Sequence, residues 1–466
     1  MMQSVSIPRV VVAGLSGDAG KTVVSLGLSL AARRAGIPVR SFKKGPDYID
    51  AAWLAWASGH PARNLDTYLM GFHVAAASLR AHGCPNGLNI IEGNRGVFDG
   101  TDAHGTHSTA ELAKVIDAPV LLVVNAGKAT RTVAACILGC QKLDPAVRFA
   151  GVVLNSLGTA RHEHVLREAI EQICGIPVLG AIHRLRDCLL PQRHLGLVTP
   201  AEHPFAAALE EQLMSGVAAS LDFERILACA NAASPLPYAG SASPVARSQT
   251  LTVGYIKDRA FTFYYPENLE ALEAAGAKLA LIDSLSAPDL PAELDALYIG
   301  GGFPETHADA LAGNPAFLRA LNDAASRGLP IYAECGGLML LSRAIWTGGV
   351  AHQMAGVLPF EVEICPSPQG HGYVRANVDR QNPFFPVGLE IKGHEFHYSR
   401  VLAGSPLPPT ACAVERGTGC FEGRDGVFTQ NVWASYTHIH ALGAPAWADC
   451  LMRAAANYNS SRRVLV

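Results

Sequence analysis

A β-branched segment near the start of the chain runs directly into a glycine-rich loop and then into a helical repeat of apolar residues. The strand RVVVAGL spans residues 9–15, the loop GLSGDAGKT spans 14–22, and the repeat VVSLGLSLAARRAG spans 23–36. Backbone N–H groups of such a loop close around phosphate oxygens, and the helix N-terminus adds positive potential. The pattern therefore predicts a phosphate-binding loop at the end of a strand.

The loop residues have separate predicted roles at a nucleotide site. Lys21 can reach the outer phosphates, and the hydroxyl of Thr22 can hold Mg²⁺. Gly14 precedes Gly20 by six positions instead of the usual five, and a chance glycine-rich turn is the competing interpretation. The flanking strand and helix argue against chance. The predicted nucleotide-binding residues are Gly14, Gly17, Gly20, Lys21, Thr22 and Asn155.

Short strand-like runs alternate with helical stretches along the first 230 residues. This alternation is typical of a parallel sheet wrapped by helices. It predicts an α/β fold with a doubly wound parallel sheet. The six runs are RVVVAGL, PVRSFK, LNIIEG, PVLLVVNA, FAGVVLN and PVLGAI.

Composition changes at residues 231–248, NAASPLPYAGSASPVARS, which are rich in Ala, Ser, Pro and Gly. We interpret this segment as a linker between domains 1–230 and 249–466. Strand-like runs then resume with helical patterns between them, which predicts a second α/β domain. They are LTVGYIKD, KLALID, ALYIGGG and LPIYAECGG.

Bulk properties exclude several classes of protein. The net charge of −3 gives no field that favours nucleic acid or an anionic membrane. The sequence has neither a secretory leader pattern nor eighteen consecutive apolar residues, so we expect a cytoplasmic protein that binds a small molecule. Eleven cysteines without a C-x-x-C pair indicate neither a disulfide framework nor a zinc site.

Acidic residues near predicted strand ends suit a magnesium-nucleotide site. Asp47 and Asp50 lie in FKKGPDYID, Glu92 ends LNIIEG, and Asp99 lies in GVFDG. Each alone could be a helix cap or a solvated acid. Ligands of doubly wound sheets bind at the carboxyl ends of the strands, so together they predict a site. The predicted metal ligands are Thr22, Asp47 and Glu92.

A cysteine lies between an apolar strand and an apolar helix in LPIYAECGGLMLL, the setting of a nucleophile elbow. We predict that Cys335 is the nucleophile and that the helix N-terminus favours its thiolate. Backbone N–H groups of the loop GGGFPE and of the residue after the cysteine can stabilise an oxyanion. The predicted oxyanion residues are Gly301, Gly302 and Gly336.

A thiol nucleophile also needs a base, and the candidate is His438 in ASYTHIH. His394, His397 and His440 compete with it. No acid stands two residues after His438, so the third member of a triad is either elsewhere or absent.

These motifs give the chain a resemblance to cobyrinate a,c-diamide synthases. That family joins an ATP domain similar to dethiobiotin synthetase, which shares the six-residue glycine spacing, to a class I glutamine amidotransferase domain. The resemblance covers nearly the whole length. The motifs that carry it are GLSGDAGKT, FKKGPDYID, ARNLD, IIEGNRGVFDG, STAELAK, FTFYYPENLE, YIGGGFPE, AECGG, GHEFHYS and ASYTHIH.

The resemblance implies a glutamine-hydrolysing carbon–nitrogen ligase that amidates acetate carboxylates a and c of a cyclic tetrapyrrole. Mg²⁺, ATP and L-glutamine are the implied cofactor and co-substrates. A small homo-oligomer is implied, with no nucleic-acid or membrane partner. The family nucleophile and base fall on Cys335 and His438, and the family tends to lack the third acid. The family's acidic positions for nucleotide, metal and substrate fall on Asp47, Asp50, Glu92 and Asp99. The predicted substrate and acyl-phosphate residues are Lys43, Lys44, Asp47, Asp50, Arg95 and Asp99.

Some residues depart from the family pattern and leave alternatives open. Lys44, Asn94-Arg95 and Asn125 replace residues common in corrinoid enzymes, which favours relatives that amidate sirohaem or sirohydrochlorin, including its nickel form. Lys44 and Arg95 could also be solvated loop charges. Cobyric acid synthase is a further enzyme alternative. A phosphate-loop switch protein with an inactive amidotransferase domain is a distant one, because it predicts loss of Cys335.

Overall fold

The computed structural model describes residues 4–184, 192–193, 196–202, 206–237, 251–402, 404 and 406–464. The chain divides into two compact units, unit 1 (Met1–Ala242) and unit 2 (Ser243–Val466). Most of the predicted linker, residues 238–248, lies outside the described residues. The limits 230 and 249 therefore stay predictions.

A parallel sheet forms the centre of unit 1. Its strand order is β4-β3-β5-β2-β6-β7-β8, and every neighbouring pair is parallel. All six predicted strands are present in this sheet. The described strands of unit 1 are β1 (Ser4–Val5), β2 (Arg9–Gly14), β3 (Val39–Lys44), β4 (Arg63–Leu65), β5 (Leu88–Gly96), β6 (Val120–Asn125), β7 (Phe149–Leu157), β8 (Val178–His183), β9 (Gln192–Arg193), β10 (Gly196–Leu197) and β11 (Leu236–Pro237).

Helices follow most strands of this sheet, as crossover connections between parallel strands require. The helix after the phosphate loop begins at Lys21, two residues earlier than the apolar repeat predicts. The described helices of unit 1 are α1 (Lys21–Arg34), α2 (Tyr48–Ser58), α3 (Phe72–His82), α4 (Thr109–Val115), α5 (Arg131–Leu143), α6 (Ala160–Cys174), α7 (Ala206–Gly216) and α8 (Phe223–Asn231), with 3₁₀ turns at Pro200–Glu202 and Ala218–Ser220.

Unit 2 has a mixed sheet of order β13-β12-β14-β15-β24-β23-β22-β19-β20-β25 and a smaller sheet of order β17-β16-β18-β21. The four predicted strands of this unit are the parallel strands β12 to β15. The described strands are β12 (Leu251–Ile256), β13 (Ala277–Ile282), β14 (Ala296–Ile299), β15 (Ile331–Glu334), β16 (Ala344–Thr347), β17 (Val350–Gln353), β18 (Glu361–Ile364), β19 (Gly370–Val378), β20 (Glu390–His397), β21 (Ser399–Leu402), β22 (Thr410–Arg416), β23 (Arg424–Thr429), β24 (Val432–Ser435) and β25 (His438–Ile439).

Both faces of β14, an inner strand of the large sheet, are buried. Leu297 and Ile299 of β14 enter one apolar core, whereas Ala296 and Tyr298 enter another, as alternation along a strand requires. No helix in the described ranges is long and apolar enough to cross a membrane. The described helices of unit 2 are α9 (Pro266–Ala274), α10 (Ala308–Ala312), α11 (Pro315–Ser326), α12 (Gly336–Leu341) and α13 (Ala446–Val464), with a 3₁₀ turn at Pro304–His307.

A buried carboxylate fixes the turn between β24 and β25. Asp425 accepts hydrogen bonds from the backbone N–H groups of Tyr436 and Thr437, both at 3.1 Å, and from the Thr437 hydroxyl at 2.6 Å. The thiol of Cys420 also donates to it, at 3.0 Å. Thr437, the residue before His438, is therefore held in place by the hydrogen bonds that it donates to Asp425.

We expect Asp425→Ala to lower the thermal midpoint of unit 2 by roughly 5 to 15 °C. The change leaves several buried donors without an acceptor, and each such group costs about 1–3 kcal/mol. Differential scanning calorimetry of the full chain measures the shift. Asp379→Ala is the control, because Asp379 forms an exposed ion pair with Arg424. Equal shifts in the two variants would contradict the role of Asp425.

Candidate active site

Close contacts explain why glycine occupies two positions of the phosphate loop in unit 1. A Cβ on Gly14 would lie 3.0 Å from the Lys21 ammonium, and one on Gly20 would lie 2.1 Å from the Asn155 amide nitrogen. Gly20 also has a φ of 98°, which glycine adopts without strain. A Cβ on Gly17 would meet nothing within 4 Å, so the loop is open on that side.

Asn155 lies directly behind the phosphate loop. Its amide nitrogen donates to the Ala19 carbonyl oxygen at 3.0 Å, and its amide oxygen accepts from the Ser156 N–H at 2.8 Å. These two bonds orient the amide, and the first holds the loop backbone. In the structure Asn155 therefore supports the loop that carries the predicted phosphate-binding N–H groups.

The side chain of Lys21 bridges from the phosphate loop to the last residues of β5. Its ammonium donates to the Arg95 carbonyl oxygen at 2.8 Å. Burial, with a smaller contribution from the nearby Lys43, lowers the pKa of Lys21. Asp99, just after β5, accepts the Gly96 N–H at 2.8 Å. The predicted residues Lys21, Arg95 and Asp99 thus lie around the end of β5.

A buried lysine connects two of the predicted acids. The Lys43 ammonium lies 2.5 Å from an Asp50 carboxylate oxygen and 2.7 Å from a Glu92 carboxylate oxygen. Burial alone lowers the pKa of Lys43, but Asp50 and Glu92 outweigh burial and hold that pKa above its ordinary value. The hydroxyl of Thr22 donates to the same Glu92 oxygen at 2.9 Å. The structure therefore brings Thr22, Lys43, Asp50 and Glu92 together.

The oxygen atoms of this cluster suit Mg²⁺. Glu92 is fully buried, and its second carboxylate oxygen has no hydrogen-bond partner among the described residues. Asp47 caps α2 by accepting the Asp50 N–H at 2.8 Å. Burial and the neighbouring Asp50 raise the pKa of Asp47. A bound cation would lower that pKa again, because it stabilises the carboxylate. The described residues contain no group of three or more His, Cys, Asp or Glu placed to hold a metal, but Mg²⁺ usually keeps waters and binds substrate phosphates.

Lys44 lies on the other side of β3 from this cluster, as alternation predicts. Its side chain is only 4% exposed, so it is not a solvated loop charge. Burial lowers the pKa of Lys44, opposed by the charge of Asp66. Arg95 differs, because it is exposed, with a φ of 50°.

Cys335 of unit 2 occupies a strained turn between β15 and α12. Its φ of 48° and ψ of −99° are unusual for a residue with a side chain, and such strain is typical of a nucleophile elbow. The Cys335 N–H donates to the Ser435 carbonyl oxygen at 2.7 Å. Burial, and secondly the charge of Glu305, raises the pKa of the thiol. A backbone hydrogen bond from Gly336, at the start of α12, lowers this pKa as expected for a helix N-terminus, but burial outweighs it.

Glycines allow the elbow, the GGGFPE loop and His438 to approach one another. A Cβ on Gly336 would lie 3.1 Å from the Gly302 nitrogen. A Cβ on Gly301 would lie 2.5 Å from Cε1 and 3.3 Å from Nε2 of His438. The predicted nucleophile, oxyanion and base residues therefore converge on one place, with Nε2 of His438 beside the loop.

The other ring nitrogen of His438 faces an acid that the sequence analysis missed. Nδ1 lies 3.5 Å from a carboxylate oxygen of Glu334, the residue directly before the cysteine. The Tyr298 hydroxyl, at 3.2 Å, and the Ile439 N–H, at 3.3 Å, donate to the same carboxylate. Glu334 is therefore a candidate for the third member. The acid in AEC could have suggested it, because β15 ends at Glu334 and pairs with β24, which leads into the turn before His438.

The three competing histidines have other surroundings. His394 stacks on His438 with ring centroids 4.9 Å apart, and burial lowers its pKa well below the ordinary value. His397 stacks on Tyr436 at 3.6 Å. Nε2 of His440 lies 3.6 Å from Glu267. Among the histidines of the described ranges, His438 is the one that combines a glycine-loop contact with Glu334.

Family models match both units. Residues 10–198 match the model described as the CobQ/CobB/MinD/ParA nucleotide binding domain. Residues 252–446 match the model described as the CobB/CobQ-like glutamine amidotransferase domain. The predicted order, with the phosphate-loop domain before the amidotransferase domain, is confirmed.

Curated relatives match almost end to end. A cobyrinate a,c-diamide synthase of Magnetococcus marinus is 42% identical, covering 96% of this chain and 97% of its own. Enzymes of the same name from Syntrophotalea carbinolica and Archaeoglobus fulgidus are 40% and 37% identical, over 95% and 94% of this chain and 97% and 95% of their own. These names do not favour the sirohaem, sirohydrochlorin or switch-protein alternatives. The chain is a glutamine-dependent amidotransferase and belongs to the cobyrinate a,c-diamide synthase family.

Proposed function

We propose that the chain uses ATP and glutamine to amidate the a and c acetate carboxylates of a cobyrinate-type cyclic tetrapyrrole. The near end-to-end identity with cobyrinate a,c-diamide synthases carries the proposal. The intact arrangements around Lys21 and Cys335 support it chemically. The proposal includes a small homo-oligomer in the cytoplasm that acts on a small molecule, not on nucleic acid or a membrane.

A carboxylate resists direct attack by ammonia, so it must first be activated. This first step takes place in unit 1. An acetate oxygen attacks the γ-phosphorus of ATP, which gives an acyl phosphate and ADP. Lys21 lies on the phosphate loop, where its charge stabilises the transferred phosphoryl group. Lys43, held by Asp50 and Glu92, adds positive charge to the same site.

Thr22, Glu92 and Asp47 are the residues that would hold Mg²⁺. A bound Mg²⁺ supplies charge neutralisation for the phosphate oxygens. The unsatisfied oxygen of Glu92 and the raised pKa of Asp47 support this choice. The backbone N–H groups of the loop that contains Gly14, Gly17 and Gly20 bind the phosphates, with Asn155 as support.

Unit 2 supplies the ammonia. The Cys335 thiol passes its proton to Nε2 of His438 as the sulfur attacks the side-chain amide carbon of glutamine. The N–H groups of Gly302 and Gly336 stabilise the oxyanion, and Gly301 gives His438 room. His438 returns the proton to the departing ammonia, and water then hydrolyses the thioester to glutamate and thiol.

The second half of the amidation joins these two products. Ammonia attacks the carbonyl carbon of the acyl phosphate, and inorganic phosphate leaves. One glutamine and one ATP are consumed for each amide formed. Two such cycles give the diamide.

Mass spectrometry of the products tests the substrate. The full chain is incubated with Mg-ATP, ¹⁵N-amide glutamine and, in parallel, cobyrinic acid, sirohydrochlorin or sirohaem. We expect two ¹⁵N atoms in cobyrinic acid only. Label in sirohydrochlorin or sirohaem, with cobyrinic acid untouched, would overturn the proposed substrate while leaving the reaction class intact.

Two substitutions test which unit supplies ammonia and which unit activates the carboxylate. Cys335→Ala should abolish glutamine-driven amidation but keep amidation with concentrated ammonium salts, because only ammonia supply needs the thiol. Lys21→Ala should abolish both reactions. Activity of Cys335→Ala with glutamine, or of Lys21→Ala with ammonia, would refute the corresponding assignment.

Glu334→Gln tests the acid beside His438. The amide cannot stabilise the imidazolium, so we expect kcat for glutamine hydrolysis to fall by about 100-fold or more, with the KM for glutamine within threefold of wild type. Amidation driven by ammonia should be unchanged. The control is Glu363→Gln, which removes an exposed ion pair with Arg400. A matching small effect in both variants would show that Glu334 does not position the base.

A further inference from the structure

The loops after β3, β4 and β5 lie on one flank of the phosphate loop in unit 1. This follows from the strand order β4-β3-β5-β2, since the phosphate loop follows β2. Asn155, which supports the phosphate loop, lies on the opposite flank at the end of β7. The carboxyl ends of β3, β4 and β5 are therefore the edge available to the second substrate.

Three rings meet on this flank and form what we call the ring cluster, defined by Tyr68, Phe72 and His107. The rings of Phe72 and His107 are stacked, with centroids 5.2 Å apart and planes at 10°. Tyr68 meets His107 edge-on, at 5.6 Å and 79°. All three side chains are only partly buried. The cluster thus presents partly exposed ring surface on this flank of the phosphate loop.

His107 is held in place at some energetic cost. Its φ of 62° lies in the left-handed region, which is uncommon for residues with a side chain. Nδ1 of His107 lies 3.0 Å from the Thr67 hydroxyl, which connects the loops after β4 and β5. Strained residues of this kind cluster at binding sites.

Asp66 connects the ring cluster to Lys44. One carboxylate oxygen of Asp66 accepts the N–H groups of Tyr68 and Leu69, at 2.8 and 2.9 Å, and so shapes the loop that carries Tyr68. Lys44 pairs in register with Leu65, the residue before Asp66. Asp66 is also the charge that opposes the effect of burial on Lys44.

The Lys44 ammonium makes no hydrogen bond or ion pair within the described residues, although the residue is 96% buried. Its nitrogen is still reached by solvent. A carboxylate of a ligand can therefore approach the ammonium and pair with it. Lys43 differs, because Asp50 and Glu92 already surround its ammonium.

We propose that the ring cluster and Lys44 form the subsite for the tetrapyrrole. The rings pack against the flat face of the macrocycle, and the Lys44 ammonium pairs with a peripheral carboxylate other than the one being activated. A flat apolar ring with carboxylates at its rim matches both features. This inference rests on the proposed function and assigns the residues that select the acceptor.

Equilibrium binding to two ligands tests the subsite. The dissociation constants of cobyrinic acid and of its fully methyl-esterified form are measured by absorbance titration with the full chain, in the absence of ATP. The variants are Lys44→Met, which removes the charge, and His107→Gly, which removes the ring and tolerates positive φ. Lys142→Met, an exposed lysine in α5, is the control.

We expect Lys44→Met to weaken binding of the acid by about tenfold or more and to leave binding of the ester within twofold. His107→Gly should weaken binding of both ligands, and Lys142→Met should change neither. An unchanged thermal midpoint excludes misfolding.

Two results would overturn the inference while the proposed function stands: wild-type affinity for the acid in Lys44→Met, or equal weakening of acid and ester. If the wild-type chain neither binds nor amidates any tetrapyrrole, both the proposed function and the subsite are refuted.

Discussion

The buried Lys43 ammonium is the interaction on which the arrangement of unit 1 depends. It contacts Asp50 of α2 and Glu92 of β5, and Glu92 in turn accepts the Thr22 hydroxyl at the start of α1. The Lys43 cation thus joins its own strand β3 to α2 and β5, and through Glu92 to α1. Because it is surrounded by acids, it keeps its charge despite burial, and it leaves one Glu92 oxygen without a protein donor. That oxygen is the one that the proposed Mg²⁺ would use.

In unit 2 a buried acid, Glu334, likewise connects several elements around the site. Glu334 faces His438 while its own carboxylate is held by Tyr298 and by the backbone of β25. Cys335 follows Glu334 directly, so the acid and the thiol are positioned by the same strand. Burial raises the pKa of the Cys335 thiol. The proposed glutamine hydrolysis therefore couples proton transfer to attack.

The sequence predicted the parallel strands and the phosphate loop well, because both depend on local patterns of apolar and glycine residues. It also placed Cys335 between a strand and a helix, as the structure has it. It did not place Glu334 beside His438, since that proximity depends on the long-range pairing of β15 with β24. The burial of the Cys335 thiol was not foreseen, because burial is decided by tertiary packing. The ring cluster was missed for the same reason: His107 lies about 40 residues from Tyr68.

Side chains alternate between the two faces of β3, so residues 43 and 44 can change independently. Lys43 and Lys44 are adjacent in the chain, but they belong to opposite faces of the strand, one with the acids of the phosphoryl site and the other with Asp66. Evolution can therefore exchange the residue at position 44 without disturbing its neighbour. New macrocycles could be recruited one substitution at a time, while the amide-forming chemistry is inherited intact.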